Sequence, residues 1–129
     1  MATATGLIGV GVPPEMAKRT GVEIVSVTTT ADTQNSAGGV LRGPGNKIVL
    51  ATAAGAGGAV TLPPDAELGD EVEVHFSTNA GRVFPQTGGT LNQGTANQHV
   101  AVVVNASLLA VKVSAINWRV RPAGAVTPV

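Results

Sequence analysis

Short β-branched runs, each closed by glycine, proline or asparagine within a few residues, fill the sequence between Val22 and Arg121. This punctuation limits the fold more than any other feature, because such runs are too short for helices of ordinary length and too frequent for a few long strands. The runs are Val22–Thr30, Lys47–Thr52, Ala59–Leu62, Glu71–Ser77, Arg82–Phe84, Gln98–Val104, Leu108–Ser114 and Asn117–Arg121. Glu71–Ser77 alternates most cleanly: Val72, Val74 and Phe76 point one way, and Glu71, Glu73 and His75 the other. Val22–Thr30 carries apolar residues at both parities, which predicts a strand covered in part on both faces. The spacing predicts a mainly β fold, an antiparallel sandwich or barrel of about seven or eight short strands.

The remaining segments are read from their breakers. Residues 1–12 are small and apolar without a helix period, an extended arm. Pro13–Gly21 reads as one short helix, with Pro13 and Pro14 at its start, Lys18 and Arg19 near its end and Gly21 as the stop. Residues 31–46 form a long loop broken by Gly38-Gly39 and Gly43-Pro44-Gly45, with room for a short strand near Val40–Arg42. Thr78–Gly81 predicts a hairpin turn that pairs Arg82–Phe84 with the strand before it. Asn105-Ala106 reads as a tight turn between two strands. The chain divides into an arm and helix (1–21), a β-domain (22–121) and an extended tail (122–129). No internal repeat is evident.

Composition narrows the function classes. In 129 residues there are 8 basic and 8 acidic side chains, no cysteine, no tyrosine and 2% aromatics. Zero net charge argues against a general nucleic-acid binder, which needs excess cations against the phosphates. The absence of cysteine removes disulfides and thiolate metal sites. No apolar run approaches a membrane span, and Lys18 and Arg19 follow the apolar Leu7–Val12 segment where a signal peptide would place them before it. The expected place of the chain is the cytoplasm, unless it leaves as part of a particle. A core of Val, Ala, Leu and Ile is thin, and association is the natural way to bury more apolar surface. A homo-oligomer is expected.

Chemistry-bearing motifs are scarce. Glu73 and His75 share a strand face, but a metal site needs three or four converging ligands, and His99 could join only through the fold. Gly43–Lys47 lacks the phosphate-loop spacing, and Ala54–Ala59 lacks the dinucleotide fingerprint. No G-x-S-x-G nucleophile elbow exists. Asp65, Glu67, Asp70 and Glu71 cluster in one connection. Spacing alone leaves paired carboxylates open, while Phe76, Phe84 and Trp118 read as core rather than sugar platforms. Asn105-Ala106-Ser107 matches a glycosylation acceptor and reads as a turn. The expectation is no enzyme and no cofactor or metal. Arg119 and Arg121 alternate with Trp118 and Val120 on the last strand and are a candidate subunit or partner contact.

One longer pattern is familiar. Val83-Phe84-Pro85, Gly88-Gly89-Thr90-Leu91-Asn92, Gly94-Thr95-Ala96-Asn97, alternating valines and then Ala115-Ile116-Asn117-Trp118 resemble the small β-rich structural proteins of tailed bacteriophages. Those proteins show an aromatic-proline turn, a Gly-Gly-x-apolar-Asn turn, an Ala-Asn step, two strands and a closing tryptophan. The opening Gly-x-Pro-Pro-Glu-Met-Ala also resembles the start of some phage head or tail proteins. The resemblance implies a virion structural role: a capsid decoration (cement) protein, made in the host cytoplasm, that sits as a homotrimer on the capsid surface and bridges major capsid protein subunits. A head- or tail-fibre module binding a host receptor or glycan through loop 31–46 is the alternative. The expected contact residues are Leu7, Ile8, Val10, Val12 and Met16 in the arm and helix, with Arg119 and Arg121.

Overall fold

The computed structural model describes residues 21–53 and 57–123. The predicted arm and short helix therefore lie outside the described residues, apart from Gly21. Nine strands follow in order: β1 (Val22–Thr29), β2 (Asn46–Ala53), β3 (Gly58–Thr61), β4 (Glu71–Phe76), β5 (Gly81–Phe84), β6 (Thr90–Leu91), β7 (Val100–Val102), β8 (Ser107–Lys112) and β9 (Asn117–Ala123). The fold is mainly β, as the punctuation predicts. Its parallel strand pairs and solenoid-like stacking correct the expectation of an antiparallel sandwich or barrel. Six strands form one sheet in the order β1-β2-β4-β8-β9-β6, and three form another in the order β3-β5-β7. The pairs β1–β2, β2–β4, β3–β5 and β6–β9 are parallel, and only β4–β8, β8–β9 and β5–β7 are antiparallel.

Parallel neighbours arise because the first half of the chain winds as a coil. Val22 lies opposite Asn46, Lys47 opposite Val72 and Gly58 opposite Gly81, so each turn returns the chain beside its own earlier path. Parallel strands need a crossover of about a dozen residues or more, and residues 30–45, which hold nearly all of the predicted loop 31–46, are the first such crossover. The loop is not structureless. Val40 bridges Thr61 in parallel, Leu41 N–H donates to Thr61 C=O at 3.0 Å, and Thr61 N–H donates to Gly39 C=O at 2.8 Å. The coil thus passes through both sheets on each turn, and the chain does repeat structurally where no sequence repeat is evident. Antiparallel β8 and β7 then close the free edges of β4 and β5.

One turn prediction changes with this topology. Residues 77–80 are a corner, not a hairpin turn: β4 belongs to the large sheet and β5 to the small one. The reason is local and steric. A side chain at Gly81 would overlap the ring of Phe76, so the chain can turn tightly under that ring only with glycine there. The tight turn predicted at Asn105-Ala106 does form, with Ala106 N–H donating to Val103 C=O at 3.1 Å and Asn105 at a φ of 62°, where asparagine tolerates the left-handed region, and it carries the chain from the small sheet to the large one.

One core joins the two sheets. On the large sheet, Lys47–Val72–Ala110–Val120 and Val25–Val49–Val74–Leu108 form inward rows, with Val27–Ala51–Phe76 beyond them. Val60, Val83 and Val102 of the small sheet complete the cluster. The predicted faces of β4 hold: Val72, Val74 and Phe76 are buried, and Glu71 and Glu73 are exposed. Trp118 is fully buried, and its indole N–H donates to Gln86 Oε1 at 2.8 Å, so the only polar atom of the ring is satisfied. Two lysines also point inward. Lys47 meets Glu23 Oε1 at 2.9 Å, and Lys112 donates to Ala66 C=O at 2.8 Å while lying 5.9 Å from the Trp118 ring centroid. β9 runs past Arg121 through Pro122. The Asn92 amide N–H donates to Trp118 C=O and the Val120 N–H donates to Asn92 Oδ1, so even-numbered residues of β9 turn their polar groups toward β6. β6 has ended by Pro122, and no ladder bond is lost there.

Candidate functional site

The opposite side of the large sheet is not covered by any other described element. Its rows follow from the pairing. Ile24, Ile48, Glu73, Leu109 and Arg121 lie side by side across β1, β2, β4, β8 and β9. One pair of residues along, Glu71, Val111 and Arg119 form a second row on β4, β8 and β9. In both rows an acid on β4 and a base on β9 bracket an apolar residue of β8. Val113, 44% exposed, extends the apolar line, and Ile24 (68%) and Leu50 (46%) lie toward the β1 edge. Among the described residues β1 is therefore covered on one face only, where the sequence predicted partial cover on both. Val25 and Val27 turn inward and Ile24 faces outward.

The four charged residues of these rows are exposed. Among the described residues, the ion pairs are Lys47–Glu23 and Arg82–Asp32, and neither Arg119, Arg121, Glu71 nor Glu73 joins one. Acid and base in each row stand about 10 Å apart, two strand spacings. An open depression of about 790 Å³ runs beside β9, floored by Leu109, Val111 and Val113 and walled by Arg119, Arg121 and Asn92. This surface offers shape, apolar area and both signs of charge in a fixed order.

The other candidates are dispersed. Leu7, Ile8, Val10, Val12 and Met16 lie outside the described residues. Glu73 and His75 share the outer face, but His99 packs against Phe84 of the small sheet, with ring centroids 5.1 Å apart and the rings tilted by 51°. Among the described residues no three metal-ligating side chains converge. In the acidic cluster, Asp65 accepts from Gly43 N–H at 2.8 Å, and one Asp70 oxygen accepts from Gly45 and Glu67 N–H at 2.8 and 2.7 Å. These carboxylates hold loops. Loop 31–46 is also anchored: Gln34 donates to Pro85 C=O at 2.7 Å and Asn35 to Thr87 Oγ1 at 2.8 Å. Glu71 and Glu73 were legible as outward residues. Their relation to Arg119 and Arg121 was not, because it exists only once β8 lies between β4 and β9.

The Phe84–Trp118 segment is built as one unit. Gly88, Asn92 and Asn97 adopt φ of 81°, 52° and 65°. Asn97 Oδ1 accepts from Gly88 N–H at 2.7 Å. Asn92 both accepts from Val120 N–H at 2.9 Å and donates to Val120 C=O at 3.1 Å, continuing the ladder where β6 stops. Asn117 Oδ1 accepts from Thr90 Oγ1 and from Gln93 N–H, each at 2.9 Å. Its amides are thus engaged in turns and strand ends. No known protein family, curated protein or solved structure matches the chain.

Proposed function

We propose that this chain is a structural protein of a phage particle, a decoration protein that stabilises the head by bridging major capsid subunits. The observation that carries the reading is the construction of the Phe84–Trp118 segment. Residues that resemble phage structural proteins set its turns and strand ends: Gly88, Asn92, Asn97 and Asn117, around the buried Trp118. A coil with a sheet face that no other described element covers suits a role in which contact area, not chemistry, is the product. Each added contact raises the barrier to shell rupture by the apolar area it removes from water.

The arm supplies the capsid contact in this reading, through Leu7, Ile8, Val10, Val12 and Met16. The test is co-sedimentation of purified protein with heads that lack it. Saturation at a fixed, high copy number is the expected result, and Leu7→Asp with Val10→Asp should lower the bound copies at least about ten-fold. Binding to host cells, with few or no copies on heads, would replace this reading with a fibre module.

A further inference from the structure

We infer that the outer face of the large sheet docks a second copy of this chain about a two-fold axis running along β8. The inference rests on charge order and goes beyond the virion reading. Two successive rows repeat acid, apolar residue, base: Glu73–Leu109–Arg121 and Glu71–Val111–Arg119. A half-turn about an axis in the contact plane and parallel to β8 exchanges left and right without changing height along the strands. β4 then lies over the partner's β9. Glu73 meets the partner's Arg121, Glu71 meets the partner's Arg119, and both pairs recur by symmetry. Leu109 and Val111 meet their own copies on the axis.

Other arrangements fail on the same rows. A half-turn about an axis across the strands sets β4 over β4 and β9 over β9, opposing acid with acid and base with base. A three-fold ring does not set one face against itself, because a self-complementary patch requires a two-fold. The pairing therefore departs from the trimer that the resemblance to phage decoration proteins implies. Facing sheets pack about 10 Å apart, within reach of glutamate and arginine extended toward each other. The depression walled by Arg119 and Arg121 gives the incoming acids room. The footprint from β2 to β6 is about 24 Å by 20 Å from strand spacing and rise, or close to 1,000 Å² over both copies. That area is at the low end for specific association, so the pair should be weak, salt-sensitive and concentration-dependent.

The experiment is charge exchange read by sedimentation velocity over a concentration series at low salt. The full-length protein should shift from monomer to dimer. Arg119→Glu with Arg121→Glu should weaken dimerisation at least about ten-fold, and so should Glu71→Arg with Glu73→Arg in a separate chain. Mixing the two variants should restore a dimer, which also shows that both are folded. The chain has no cysteine, so single thiols give a second readout. Leu109→Cys, near the axis, should be joined by a short bis-maleimide. Ile24→Cys, three strands away, should not. A protein that stays monomeric throughout, variants that associate like the parent, or a mixture that does not recover would each overturn the two-fold pairing. So would cross-linking at Ile24 that equals that at Leu109. None of these outcomes depends on binding to heads, and failure to bind heads leaves the pairing standing.

Discussion

Replacing Gly81 by alanine isolates the steric contact that turns β4 into β5. Gly81 is not among the residues at positive φ, so alanine meets no backbone penalty there. Its methyl would overlap the ring of Phe76, which is fully buried. Overfilling a packed core costs about 1–3 kcal/mol. Removing glycine's freedom from the unfolded chain returns about 0.4–1 kcal/mol. The net loss should be about 1–2 kcal/mol, or a fall in melting temperature of about 5–10 °C for a domain of this size. Phe76→Leu removes the obstructing ring, and its own cost should stay below the about 3–5 kcal/mol of truncation to alanine. In that background Gly81→Ala should cost nothing or stabilise, giving a coupling of about 1–2 kcal/mol. Urea melts of the four proteins, with unchanged slopes, measure it. An equal loss from Gly81→Ala in both backgrounds would refute the idea that Phe76 dictates glycine at this corner.

Trp118→Ala should destabilise the fold by about 3–5 kcal/mol, because it empties the largest buried site and leaves Gln86 without its indole partner. An unchanged thermal midpoint would remove Trp118 from the core. The two ion pairs should differ sharply, since Lys47 is 2% exposed and Arg82 37%. Glu23→Ala strands a buried ammonium and should cost roughly 1–3 kcal/mol, whereas Asp32→Ala should cost less than about 0.5 kcal/mol; urea melts that gave equal losses would contradict this ranking.

The sequence displayed the faces of its strands far better than their partners. Glu71–Phe76 reads correctly because its alternation records a physical fact about one strand, a core on one side and solvent on the other. Pairing depends on where the chain goes between strands, and breakers do not encode that. A run such as Ser77-Thr78-Asn79-Ala80-Gly81 suits a hairpin as well as a corner, and only the approach of Gly81 to Phe76 decides between them. The coil left one trace, Gly58-Ala59-Val60 opposite Gly81-Arg82-Val83. Its turns are unequal, with Val40 bridging Thr61 while Lys47 meets Val72, so no fixed period accumulates in the sequence.

The same distinction governs the candidate site. Arg119 and Arg121 were legible as outward residues because Trp118 and Val120 alternate with them. The acid–apolar–base rows were not, because they join residues from three strands whose order the topology alone sets. β1 supplies the instructive misreading. Its apolar residues at both parities predicted cover on both faces, yet Ile24 is 68% exposed. Leu50 and Val113 break the alternation in the same direction, on the same side of the same sheet. A solvated sheet face has no physical need for three large apolar residues beside four charges that lack partners among the described residues. The places where the strand pattern fails are thus gathered on one surface, and a second copy of the chain accounts for the charges and the apolar line of β8 together.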